Sequence, residues 1–99
     1  MPPPPVNVAK SACADLARLS VGEQTLAKAQ LLTLAASFGQ PHKHDGIGIR
    51  KLKGAVYECR IDRALRAIFI WRNGAIWIEA IGNHEDVRRF LKSKQLTKR

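Results

Sequence analysis

Three side chains in the second half of this sequence, Arg60, Arg66 and His84, are of the types that metal-free RNA cleavage requires. Such a reaction needs a base for the 2′-hydroxyl proton, cations for the charge that develops on the phosphate, and an acid for the departing 5′-oxygen. Arginine suits the middle task, because its planar fork matches phosphate oxygens and stays charged. Histidine suits either proton transfer near neutral pH. Spacing alone leaves a second reading of His84 open, as a structural or surface residue at a strand–helix junction. The charge balance points the same way as the arginines. Seventeen Lys and Arg against eight Asp and Glu leave +9 on 99 residues, a field that draws polyanions. Nucleic acid heads the candidates, followed by an acidic protein and an anionic membrane surface; a basic surface that serves only solubility is the alternative.

These residues need a scaffold, and the pattern of the chain supplies one. Residues 55–61, 66–72 and 75–81 read as strands, and Asn73-Gly74 between the last two is the sequence of a two-residue type I′ hairpin turn. That turn sets Arg72 opposite Ala75, Phe69 opposite Ile78 and Arg66 opposite Ile81. Ala67, Phe69, Trp71, Ile76, Ile78 and Ala80 then form one apolar face, which must pack on helices. Arg66, Ile68, Ile70, Trp77, Glu79 and Ile81 form the other. The preceding strand divides in the same way, with Tyr57, Cys59 and Ile61 on one side and Val56, Glu58 and Arg60 on the other. Period two therefore gathers Glu58, Arg60, Arg66 and Glu79 on one face, with His84 just past the strand end nearest Arg66. Asn83 reads as the cap of a following helix, which puts His84 in its first turn, where the helix dipole favours an uncharged, proton-accepting ring.

Two helices precede the strands. Ala12, Leu16 and Leu19 recur at helical spacing in the first. In the second, Ser20 and Glu23 form a capping-box pair, and Ala27, Leu31, Leu34, Ala35 and Phe38 make one apolar stripe that Gly39 and Pro41 bring to a stop. Residues 40–50 read as a loop. The expected class is α+β, a helical hairpin packed on a small antiparallel sheet with a short C-terminal helix carrying Val87, Phe90 and Leu91 inward. Residues 1–8 read as a proline-rich arm, 9–94 as the single domain and 95–99 as a basic tail. No run approaches the roughly 20 apolar residues of a membrane span, and no secretory leader is visible. Cys13 and Cys59 stand in no metal-ligand spacing and read as reduced structural thiols of a cytoplasmic protein. His42-Lys43-His44-Asp45 lacks an identifiable third ligand, so neither a metal nor another cofactor is expected. Gly46-Ile47-Gly48 is too short for a phosphate loop. Trp71 reads as core, and Trp77 as lining the cleft or covering an apolar patch.

The run Lys51-Leu52-Lys53-Gly54, then Tyr57-Glu58-Cys59-Arg60-Ile61-Asp62, then Leu65-Arg66-Ala67-Ile68-Phe69, closing on Ile81-Gly82-Asn83-His84-Glu85-Asp86, resembles the core of the RelE/ParE superfamily of type II toxins, in particular its RelE, YoeB and HigB-like branches. The resemblance runs from about residue 8 to about residue 92; its strength lies in the order and spacing of the motifs, since none is diagnostic alone. It implies a ribosome-dependent endoribonuclease that cuts mRNA in the A site and leaves a 2′,3′-cyclic phosphate or 3′-phosphate. It also implies a cognate antitoxin and a possible higher-order toxin–antitoxin oligomer, with no membrane partner. By position, Arg66 matches the cleft arginine on the scissile phosphate, Arg60 a catalytic or phosphate-binding cation, and His84 the histidine of the YoeB and YafQ branches or the second arginine of the RelE branch. Lys51, Lys53, Arg63, Glu58 and Phe90 complete the implied RNA contacts. Phe90 falls where an aromatic stacks on a base, and reads equally as a core residue of the last helix.

Two departures bear on the chemistry. Glu58 stands where RelE itself carries a basic residue, a place for a proton acceptor or for a group that orients Arg60. The loop carboxylate of YoeB-like members has no clear counterpart, with Asp45, His42 or His44 as substitutes. A gyrase-poisoning toxin of the ParE kind, and a non-catalytic RNA-binding module of the same fold, are the alternatives.

Overall fold

A computed structural model describes residues 3–39 and 48–97, with side chains to Ser93. In chain order it contains β1 (Val6–Val8), α1 (Lys10–Ala17), α2 (Val21–Ser37), β2 (Arg50–Lys53), β3 (Val56–Arg60), β4 (Arg66–Arg72), β5 (Ala75–Gly82) and α3 (His84–Thr97). The strands form one sheet ordered β1-β5-β4-β3-β2. The α+β class and the helical hairpin are as the sequence implies, but the sheet is mixed. β1 runs parallel to β5, pairing Val6 with Ile76 and Val8 with Ile78. The resemblance leaves a first strand behind the proline run either short or absent, and it is present with three residues, inside the segment expected to be an arm. β2 escaped because its sequence Arg-Lys-Leu-Lys is polar and it lies at the sheet edge, where charged side chains guard an open ladder. α3 is also longer than the short helix expected, its backbone continuing through Thr97.

Local signals formed as written. Ser20 Oγ accepts from Glu23 N at 3.1 Å while Ser20 N donates to Glu23 Oε1 at 3.0 Å, a complete capping box for α2. Asn73 and Gly74 take φ of 53° and 74°, the positive values that a type I′ turn demands. Ala12 from α1, Ala27, Leu31 and Leu34 from α2, and Cys59, Ala67, Phe69, Ile76, Ile78 and Ile81 from the sheet form the core. Phe38 closes its end, meeting Tyr57 and Phe69 edge-on at 5.1 and 5.4 Å between centroids. Trp71, expected in the core, lies 37% exposed at the far end of β4, tilted against Phe38.

The main departure lies in β5. Pairing with β4 follows the expected register from Arg72↔Ala75 to Phe69↔Ile78, then shifts to Ile68↔Ala80, Ala67↔Ile81 and Arg66↔Gly82. Glu79 is the extra residue of a β-bulge. The bulge turns Ile81 into the core and moves Ala80 to the opposite face, reversing the expected assignment of these two residues, and it removes Glu79 from the row of paired side chains. It also leaves backbone groups to be met, because β1 ends at Val8. Helix α1 meets them from residues one turn apart: Ser11 Oγ donates to Glu79 O at 2.8 Å, and Ile81 N donates to Asp15 Oδ2 at 2.9 Å. Asp15 also bonds Arg18. Beyond the bulge, Asn83 N donates to Asp86 Oδ2 and Asp86 N to Asn83 Oδ1, both at 2.9 Å. Gly82 leaves the room for this cap, since a Cβ there would collide with the Asp86 carboxylate.

Asp15→Ala leaves the Ile81 N–H without its acceptor. It is expected to destabilise the fold by about 1–3 kcal/mol, measured as a lower urea midpoint at unchanged slope. Lys28→Ala on exposed α2 should leave the midpoint in place.

Candidate functional site

The sheet face turned away from α1 and α2 is organised in three cross-strand rows. At one end Arg60, Arg66 and Gly82 lie in register; next come Arg50, Glu58, Ile68 and Ala80; then Lys53, Val56, Ile70 and Trp77. His84 follows Gly82 by two residues and is exposed in the first turn of α3. The structure thus brings Arg60 and Arg66 side by side as cross-strand partners, with His84 just past the strand that flanks them.

Arg66 is set by the tight loop that precedes it. Ile61 N donates to Leu65 O at 2.9 Å and Ala64 N to Asp62 Oδ1 at 2.9 Å, the second an Asx turn. The loop thereby turns its carbonyls toward Arg66, whose Nη1 donates to Asp62 O, Leu65 O and Arg63 O at 3.0, 3.3 and 3.4 Å. One nitrogen is therefore anchored, and among the described residues Nε and Nη2 meet no acceptor. Arg60 lies against Gly48: a Cβ on that glycine would stand 3.1 Å from Arg60 Cβ and 3.2 Å from its Nη2. Gly48 also holds φ at +66°, so both its conformation and its contact call for glycine. Gln30 Nε2 of α2 donates to Arg60 O at 2.8 Å and ties this end of β3 to the helical layer.

Glu58 sits differently from an exposed RNA contact. It is 5% exposed, with Oε2 held by Arg50 at 3.1 Å and Oε1 without a partner among the described residues. A buried carboxylate with one oxygen unmet is costly, and here it fastens Arg50, where the sequence had suggested Arg60. Lys53 lies on the Arg66 face, while Lys51 pairs with Tyr57 and falls on the side of the helices. Arg63 is exposed in the loop before β4. Phe90 lines an open groove of about 600 Å³ between α1 and α3 with Leu19, Leu65 and Ile81, a groove that Arg60, Arg66 and His84 do not line. Asp45, His42 and His44 lie outside the described residues.

The arginines divide by their partners. Arg18, Arg50, Arg88 and Arg89 each pair with a carboxylate. Arg60, Arg63, Arg66 and Arg72 have no carboxylate partner among the described residues. All four belong to the stretch from the end of β3 to the end of β4. Among the described residues the arginines without a carboxylate are thus confined to this stretch, while unpaired lysines such as Lys10 and Lys28 lie on the helices.

No protein-family model matches the chain, and no curated protein sequence does. Solved structures do match, and the fold they define is that of RelE-like toxins. The chain superposes on the archaeal RelE–RelB complex from Pyrococcus horikoshii OT3 with a TM-score of 0.63 and 19% identity, over 80% of this chain and 92% of that one. For the RelB–RelE antitoxin–toxin complex from Methanococcus jannaschii the TM-score is 0.65 at 16% identity, covering 85% and 96%. For the YoeB dimer from Staphylococcus aureus it is 0.60 at 20% identity, covering 81% and 95%. At these identities the likeness is one of fold.

The two cysteines differ in reactivity. Burial, then the neighbouring Glu58 charge, pushes the Cys59 thiol from 9.0 up to about 12, while Cys13 is exposed. Between those two values the unfolded chain loses the Cys59 proton and the folded chain keeps it, so this thiol lowers stability as pH rises through that window. Because the thiolate is the nucleophile, iodoacetamide at pH 8 is expected to add one group to the folded protein, on Cys13, and two after denaturation. Peptide mass spectrometry distinguishes this from equal labelling of both.

Proposed function

We propose that this chain is the toxin of a type II toxin–antitoxin system and that it cleaves mRNA on the ribosome by metal-independent attack of the 2′-hydroxyl. The observation that carries the reading is the in-register Arg60–Arg66 pair, which has no carboxylate partner among the described residues and is followed by His84 at the end of the neighbouring strand. The RelE-like fold agrees with it. In this reading Arg66, anchored through Nη1, offers Nε and Nη2 to the scissile phosphate, and Arg60 adds a second charge beside it. His84, exposed at the start of α3, exchanges the proton at one of the two oxygens. Glu58 acts from below the surface by holding Arg50 at the rim.

The partner follows from the same features. A segment with acidic side chains answers the uncompensated strip, and an apolar one answers the outer surface of α2, where Val21 and Leu32 are exposed. The solved complexes of RelE with RelB are in keeping with an antitoxin in that role. A non-catalytic RNA-binding module is the second reading, favoured by one observation, the burial of the only carboxylate on the Arg66 face rows.

Induction in a bacterial host is expected to arrest translation with cut mRNA. Arg66→Ala and His84→Ala are each expected to slow cleavage by about 10²–10⁴-fold and to relieve the arrest. Arrest with intact mRNA and an SOS response, indifferent to His84→Ala, would favour a gyrase poison instead. Salt-sensitive RNA binding without cleavage would favour the binding module.

A further inference from the structure

The proposed chemistry uses one end of the basic face and leaves the other unexplained. At that far end the Arg72 guanidinium lies 5.2 Å from the centroid of the Trp77 ring. Arg72 shares a face with Arg66, because β4 alternates regularly over its whole length and the bulge lies in β5. Six residues of strand separate the two arginines, about 20 Å. Between them Ile68 is buried and Val56 and Ile70 are half-buried, with Lys53 in register at the rim.

Three features of this end go beyond what stability asks for. Arg72 is exposed and has no carboxylate partner among the described residues. Trp77 is only half-buried on the face that neither α1 nor α2 covers, and its buried indole N–H meets no acceptor among the described residues. The pair also continues the strip of uncompensated arginines. An exposed guanidinium over an indole offers two groups on which nucleobases stack in single-stranded RNA recognition.

We propose that Arg72 and Trp77 form a second RNA subsite, a stacking platform for one unpaired nucleobase, a few nucleotides along the strand from the Arg60–Arg66 end. This rests on the reading of that end as an RNA cleft. Phosphates between the two ends pass along the β2 side of the face, beside the exposed Lys53 and Arg50. The subsite adds affinity and sets the position of the strand, and it is sequence-tolerant because stacking needs only a π-face.

The test uses the full chain and a hexanucleotide of 2′-O-methyl RNA, which cannot cyclise and so is not cut. Trp71→Phe leaves Trp77 as the only tryptophan. Saturable quenching of its emission on titration is expected. Arg72→Ala is expected to weaken binding about tenfold, and Arg72→Lys, which keeps charge but loses the plane, nearly as much. Lys28→Ala removes one charge from α2 and should change affinity far less. Saturating binding with unchanged Trp77 emission overturns the platform, as does full affinity in Arg72→Lys. Arg66→Ala in the same titration reports on the cleft alone, so failure of that reading is seen separately from failure of the platform.

Discussion

β1 covers β5 for only three residues, and the way the rest of the β5 edge is completed fixes the geometry of the candidate site. The bulge at Glu79 would expose a carbonyl and orphan an amide, at a cost of a few kcal/mol if unmet. Ser11 and Asp15, one turn apart on α1, take those two groups, and Asp86 takes the next free amide at Asn83. The same three contacts that satisfy the backbone lock the register. Ile81 enters the core, Gly82 comes opposite Arg66, and α3 begins at His84. Without the bulge, Ile81 would stand beside Arg66 and His84 would start from a different place relative to the arginine pair.

Electrostatics divides the molecule along a related line. Arginines on the helices and on β2 are neutralised locally by Asp15, Glu58, Glu85 and Asp86. Those of the β3–β4 stretch are left uncompensated and are aimed by backbone and packing instead: Arg66 by its own loop carbonyls, Arg60 by Gly48, Arg72 by an indole. Such groups are held in place while their charge stays available, which is the arrangement a polyanion site requires.

Much of this was legible in the residues. The Asn73-Gly74 turn, the Ser20–Glu23 cap, the apolar stripe of α2 and the even-numbered face of β4 each follow from one local rule, and each formed. The misses share a cause, which is that edge and bulge structure is settled by tertiary partners. β1 is defined by its pairing to β5, and β2 by its pairing to β3 despite a polar sequence. The bulge did leave a trace: Ile76 and Ile78 are two apart, but Ile81 follows after three, a break in period two that a strict alternation overlooks. Burial of Glu58 left no such trace, since nothing in the spacing says that Arg50 will cover it. The resemblance read from the Lys51-to-Asp86 motifs concerned fold as well as chemistry, and the shared fold bears out the first of these.

The proposed RNA cleavage by this fold depends on the chemistry at the Arg60–Arg66 end. The most direct measurement is the terminal group of mRNA fragments made by the purified chain on programmed ribosomes. Attack by the 2′-hydroxyl leaves a 2′,3′-cyclic phosphate or its 3′-phosphate product together with a 5′-hydroxyl, and these ends should disappear in Arg66→Ala. Uncut mRNA, or fragments ending in a 3′-hydroxyl and a 5′-phosphate, would contradict it.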